Sequence, residues 1–152
     1  MIPSNEPLLL DSNVLVHLIR GKNAGQRIAN DYHLLQRTER PLISVVTVGE
    51  LKALANKLGW STGKQRHLDE LIAELVVVGL NQGDIVSHYA AIDHYCERVV
   101  KPARPMGQND LWIAATAAAA DAHLLTTDRD FDHLRPNFIK LVRLDPVTGA
   151  TL

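Results

Sequence analysis

Cysteine is almost missing from this chain: of 152 residues only Cys96 is one, so no intramolecular disulfide can form. That excludes a small extracellular scaffold stapled by disulfides and fits a reducing compartment. Aromatic residues reach only 5%, too few for the platform of stacked rings on which many single-strand binders lay their bases. No stretch approaches the ~18 consecutive apolar residues of a membrane span. The start, Met1 to Asn5, has no basic segment, and Leu8-Leu9-Leu10 is too short for a signal-peptide core. The expectation is a cytoplasmic protein with no membrane partner. An excess of one charge is lacking too: 16 basic and 17 acidic residues give a net charge of −1. Bulk charge therefore excludes a polybasic nucleic-acid binder, while a local basic rim remains open. Nine glycines and seven prolines are ordinary numbers, which argues against collagen-like or low-complexity chains.

What is present is a chain that is 46% hydrophobic and has the length of about one domain. Residues 1–152 are read as one domain. Short continuous apolar runs read as buried strands: Pro7–Leu10, Leu42–Ser44, Leu75–Val78, His123–Thr126 and Ile139–Val142. Between them the spacing predicts helices. Val14, Leu15, Leu18 and Ile19 mark one that Gly21 stops. Asn23 to Arg37 reads as a second, Thr47 to Leu58 with Gly59 as its stop as a third, and Ser61 or Thr62 opens a fourth. A long helix is expected over Asp84–Val100, a loop over Pro102–Gly107, a helix capped by Asn109 through about Ala120, and a helical turn over Asp128–Leu134. Alternation of apolar strands with helices predicts an α/β fold of three layers, with a short, mainly parallel sheet between helices. In such sheets the site lies beyond the carboxyl ends of the strands.

Carboxylates stand at those positions. Asp11 follows the first strand, Glu50 lies in the helix after the second, Asp110 begins the alanine-rich helix, and Asp128 lies just past the strand ending at Thr126. Each has a plainer explanation. Asp11 and Asp128 could cap helices, Asp110 could answer a helix dipole, and Thr47-Val48-Gly49-Glu50 matches a capping box. Recurrence at four strand-to-helix junctions favours a shared role. Four clustered carboxylates repel one another, and a hard divalent cation with oxygen ligands, Mg²⁺ or Mn²⁺, relieves that repulsion. Zinc is disfavoured, because the seven histidines and Cys96 show no tight ligand spacing; His94-Tyr95-Cys96 is the nearest approach.

Four segments carry a family likeness: Leu9-Leu10-Asp11-Ser12-Asn13-Val14-Leu15, Ser44-Val45-Val46-Thr47-Val48-Gly49-Glu50-Leu51, Asn109-Asp110-Leu111-Trp112-Ile113-Ala114-Ala115-Thr116-Ala117 and Leu125-Thr126-Thr127-Asp128-Arg129-Asp130-Phe131. In this order and spacing the chain resembles the PIN-domain nucleases, and among them the VapC toxins of bacterial toxin–antitoxin modules, over a motif-bearing core of about residues 8–143. The resemblance implies a metal-dependent endoribonuclease. Asp11 and Asp110 would be the most direct ligands of one or two Mg²⁺ or Mn²⁺ ions. Asp128 would join them, with Asp130 able to share or replace its role, and Glu50 would hold a coordinated water or a second ion. Attack of activated water on the phosphodiester would leave a 5′-phosphate and a 3′-hydroxyl. Beside the acids, Asn13, Thr47, Asn109 and Thr127 are candidates to orient carboxylates by hydrogen bonds, with turn or cap use as the alternative. Trp112 is read as packing rather than base stacking.

Lys101, Arg104 and Arg129 are candidates for phosphate contacts, with Arg98, Arg20 and Lys22 as further members of a basic rim; ordinary surface charge is the alternative. The likeness further implies an RNA substrate of the tRNA or rRNA class, a homodimer, and an antitoxin of VapB type through which operator DNA would be reached. Apolar helices around Val14–Ile19 and Leu51–Leu58 offer a groove for such a partner. Two other functions compete: a PIN-domain nuclease of RNA processing without an antitoxin, and a non-catalytic binding module whose acids are only caps. Phosphotransfer folds that open with a strand-end Asp are disfavoured, because Asp11-Ser12-Asn13 lacks a second Asp two residues on.

Overall fold

The computed structural model describes residues 2–152. Five parallel strands, β1 (Leu8–Leu10), β2 (Leu42–Ser44), β3 (Val76–Val78), β4 (His123–Thr126) and β5 (Lys140–Arg143), lie in the order β3-β2-β1-β4-β5. Register is set by Leu9 opposite both Leu42 and Leu124, by Ile43 opposite Val77, and by Leu124 opposite Leu141. The order places β1 at the centre, with the chain winding first toward β3 and then across to β4 and β5. Helices α1 (Ser12–Arg20), α2 (Asn23–Asp31), α3 (Val45–Leu58), α4 (Thr62–Ala73), α5 (Ile85–His94) and α6 (Gln108–Ala120) cover the two faces.

Side chains of a strand alternate between faces, and around the inner strands β2, β1 and β4 both faces are buried, whereas Val76 and Val77 of edge strand β3 are exposed. Leu8, Leu10 and Leu125 join Val14, Leu15, Ile28, Leu51 and Leu68 in one core cluster. Leu9, Leu124 and Leu141 join Ile92, Leu111, Ala114 and Phe131 in the other. That is why the inner strands read as unbroken apolar runs. The α/β architecture expected from the sequence is therefore present. None of the helices is long and apolar enough to cross a membrane among the described residues.

Two helices differ from expectation. The second ends at Asp31 rather than Arg37: His33 takes φ 50°, and Arg37 is drawn inward to donate to the carbonyl oxygens of Glu6 (2.8 Å) and Tyr32 (3.3 Å). A buried guanidinium reaching backbone carbonyls leaves no periodic signal. The helix expected over Asp84–Val100 changes at Tyr95 into a π-helical turn, Tyr95–Val99, with the Val100 amide donating to Tyr95 O at 2.9 Å. The wider turn leaves Cys96 O to accept the Arg104 amide at 2.7 Å, which folds the following loop back.

α1 and α2 cross closely because position 25 has no side chain. A Cβ there would stand 2.2 Å from His17 O. Gly25→Ala is expected to destabilise the chain by about 1–3 kcal/mol through forced backbone separation. Thermal unfolding checks this, with a fall of about 2–4 °C per kcal/mol at this chain length.

Candidate functional site

The carboxyl ends of β1, β2 and β4 lie side by side, and the acids begin there. Asp11 is the N-cap of α1 and is only 4% exposed. Its Oδ1 accepts the Ser12 amide at 2.8 Å, and its Oδ2 accepts Thr126 Oγ1 at 2.7 Å and Asn13 Nδ2 at 3.1 Å. Burial pushes its carboxyl above the usual range, against the lowering effect of these donors, and the charges of Glu50 and Asp128 add to the rise. Thr126 is fully buried, and its hydroxyl also accepts the Asp128 amide at 2.9 Å. Asn13 reaches across as well, its Oδ1 accepting the Thr127 amide at 3.1 Å. One side chain on α1 and one on β4 thus lock two strand ends together around a single carboxylate.

Asp128 caps the 3-10 turn Arg129–Leu134, its Oδ1 accepting the Asp130 amide at 2.9 Å. The cap anticipated from the sequence is real, and it fixes the pose of Asp128 without engaging its second oxygen. Asp110, Asp128 and Asp130 each present a carboxylate oxygen within 4.8 Å of the others. Asp110 stands in the first turn of α6. Desolvation, followed by the fields of Asp11, Asp128, Glu50 and Asp130, pushes its carboxyl up to about 7. Glu50 closes the group from α3: its Oε1 accepts Ser12 Oγ at 2.7 Å and its Oε2 accepts Asn109 Nδ2 at 3.4 Å.

Several expectations need correction. The capping box over Thr47–Glu50 does not form, because Ser44 caps α3 by accepting the Val46 amide and Glu50 faces the acids instead. Thr47 is fully buried and its hydroxyl has no hydrogen-bond partner among the described residues, so it orients no carboxylate. Asn109 is not the cap of α6; Gly107 precedes that helix, and Asn109 turns to Glu50. The hydroxyl that holds Asp11 belongs to Thr126, whereas Thr127 contributes its backbone amide to Asn13. Sequence reasoning missed Thr126, and the available signal was strand alternation: the last strand residue is buried and faces β1. Trp112 packs on Tyr89 of α5, ring centroids 4.0 Å apart. Arg20 and Lys22 lie at the far end of α1, about 13 Å along the axis from Asp11, and line a different cleft with His17.

Arg104 and Arg129 do come together, lining one cleft beside Asp130; Lys101 is exposed and lies outside it. His133, in the same cleft, was assigned no role from the sequence. Its Nε2 lies 3.1 Å from the Sγ of buried Cys96, so the cysteine's partner is His133 rather than His94. Burial, and then the charge of Arg104, hold the His133 imidazole below its usual range, while burial raises the Cys96 thiol.

An all-oxygen group of this density fits a hard divalent cation. Burial first, and then the charges of the neighbouring acids, raise the Asp110 carboxyl, and such a cation would offset both; the buried thiol–imidazole contact offers it no soft ligand. With no cation added, folded Asp110 keeps a proton between pH 3.8 and about 7 that the unfolded chain has lost. Stability is therefore lost as pH rises through that window. Asp110→Asn is expected to raise the melting temperature of the chelator-treated protein at about pH 8 and to make no difference near about pH 4, which thermal melts across pH would show.

Comparison with known proteins places these features among relatives. The family profile described as PIN domain matches residues 8–136. Over 119 residues the chain is 32% identical to a protein named Ribonuclease VapC1 from Haemophilus influenzae (strain R2866), covering 78% of this chain and 84% of that protein. The structure of VapBC-1 from nontypeable Haemophilus influenzae is similar with a TM-score of 0.72 at 26% identity, over 90% of this chain and 97% of that one. VapBC2 from Rickettsia felis, solved bound to a DNA fragment from its promoter, is similar in fold with a TM-score of 0.70 at 24% identity, over 90% and 98%.

Proposed function

The chain belongs to the PIN-domain family, and from that premise and the convergence of its strand-end acids we propose that it is a divalent-metal-dependent endoribonuclease of VapC type, the toxin of a toxin–antitoxin module. The observation that carries the proposal is the group of Asp110, Asp128 and Asp130, with carboxylate oxygens within 4.8 Å of one another, set beside buried Asp11. PIN nucleases generally depend on a divalent metal, and oxygen-only ligands favour Mg²⁺ or Mn²⁺.

Whereas the resemblance pointed to Asp11 and Asp110 as the most direct ligands, in this reading Asp110 and Asp128, with Asp130 at the rim, would hold the cation, with Asp11 and Glu50 bordering it. When bound, it supplies charge that stabilises the phosphoryl transition state and lowers the pKa of the attacking water. The chain's own residues supply preorganisation. Thr126, Asn13 and the Ser12 amide fix both oxygens of Asp11 before any ligand arrives. Ser12 Oγ and Asn109 fix Glu50. Asp110 gives up its proton on loading, so that metal affinity falls as pH drops below about 7. Such fixed carboxylates need little reorganisation during reaction.

The partner of this reading is an antitoxin of VapB type, as in the neighbouring complexes. A groove between α1 and α3, lined by Val16, Leu51, Leu54 and Lys57, opens onto Glu50 and Asn109. A helix or extended segment seated there would cover the acids and stop cleavage. A homodimer and an RNA of the tRNA or rRNA class belong to the same reading.

The test is cleavage of end-labelled tRNA and rRNA fragments with Mg²⁺ or Mn²⁺, with chelator as control. Wild type is expected to cut only with metal, leaving 5′-phosphate ends. Asp11→Asn and Asp110→Asn are expected to lose activity by about 10²-fold or more, with folding verified by circular dichroism. Thr126→Val is expected to lose more than Thr126→Ser. Undiminished cutting by folded Asp110→Asn would sink the proposal.

A further inference from the structure

The carboxylates lie between two clefts of unlike chemistry. On one side is the groove between α1 and α3, of mixed apolar and uncharged polar lining, whose basic group is Lys57 alone. On the other, meeting the acids at Asp130, is a cleft of about 520 Å³ lined by Arg104, Arg129, Met106, Asp132 and His133. That volume falls within the range of small-molecule sites and suits one nucleotide unit.

The two arginines in this cleft are not used by the fold. Neither Arg104 nor Arg129 makes an ion pair among the described residues, although Asp130 and Asp132 line the same cleft. Asp132 is already taken, its two oxygens accepting Arg143 Nη1 at 3.3 and 3.0 Å. Asp130 belongs to the acidic group. The backbone beneath each arginine is nevertheless fastened. The Arg104 amide is bound to Cys96 O, exposed by the π-helical turn, and Arg129 begins the turn that Asp128 caps. The His133 ring is tied through Nε2 to Cys96 Sγ. Two free guanidiniums on fastened backbone, beside a ring and the thioether of Met106, form a phosphate-binding wall with a surface for a base.

We propose that the Arg104–Arg129 cleft is the main nucleotide subsite of the RNA strand, holding the phosphate and base on one side of the scissile bond, so that the enzyme grips the strand it cuts from one side only. The proposal rests on the ribonuclease reading above and adds its polarity. An extended strand crosses from the arginine cleft over Asp130 and Asp110; past Glu50 it meets one lysine among otherwise uncharged side chains, where phosphates gain little.

The test uses short single-stranded RNAs carrying one cleavage site and shortened stepwise from either end. Fluorescence anisotropy on Asp110→Asn protein with Mg²⁺ gives Kd at several salt concentrations, and wild-type cleavage gives kcat and KM. Shortening from one end is expected to raise Kd and KM on the order of tenfold for each phosphate removed from the cleft, with shortening from the other end changing either about twofold or less. Arg104→Ala/Arg129→Ala is expected to abolish that difference and to reduce the salt slope of log Kd by about 0.7 for each phosphate no longer gripped. Arg66→Ala, exposed on α4 outside both clefts, is expected to leave Kd and its slope unchanged. If wild type cuts RNA while the double variant keeps its Kd, slope and end preference, the subsite is refuted and the nuclease reading stands. If wild type neither binds nor cuts any RNA, both fall together.

Discussion

Mutual repulsion among carboxylates organises this molecule. Asp11, Glu50, Asp110 and the pair Asp128 and Asp130 come from four separate segments of the chain and meet where the central strands end. Left to themselves such groups would part or protonate, and Asp110, desolvated and then crowded by the other acids, holds its proton up to about pH 7. The fold resists by fastening three neighbours of Asp110 to neutral donors. Thr126 and Asn13 bind the most buried acid, the cap at Asp128 commits one oxygen to the Asp130 amide, and Ser12 and Asn109 hold Glu50. Hydrogen-bonded carboxylates of fixed pose are costly for the metal-free protein and suited to a cation, since the arrangement is ready before binding.

Most of that arrangement could be read from the chain. The strands were visible because both sheet faces are buried, so Leu8-Leu9-Leu10 and His123–Thr126 needed no alternation. Glycines at 21 and 59 stop α1 and α3 in the left-handed conformation, with φ 63° and 59°. The acids stood out because they recur just beyond strands. What the sequence concealed depends on contacts between distant segments. Arg37 ends α2 early by reaching backbone carbonyls of another segment. Thr126 and Thr127 are indistinguishable by type, and only the facing of β4 against β1 decides which hydroxyl meets Asp11. Cys96 and His133 lie 37 positions apart, so local ligand spacing could not pair them. Asn109 looked like a cap because caps favour asparagine, yet Gly107 starts the helix and frees Asn109 for Glu50.

The π-helical turn links the fold to the site. It interrupts a helix that periodicity alone would continue, and the carbonyl it releases holds the loop on which Arg104 stands. Such turns are rare and often mark functional positions. Here the turn also carries Cys96, whose contact with His133 joins the same cleft wall. Acids at strand ends and helix starts, with one arginine on a loop and one on the 3-10 turn, thus line one surface, negative at its centre and positive along one side, while the chain as a whole is nearly neutral.

The account depends on a cation seated among these acids, and locating one would test it most directly. Crystals grown with Mn²⁺ and measured for anomalous scattering should show a peak bounded by Asp110, Asp128 and Asp130 with Asp11 alongside, and Asp110→Asn crystals should lose it. A Mn²⁺ peak found only elsewhere, or none at a concentration that supports cleavage, would contradict the account.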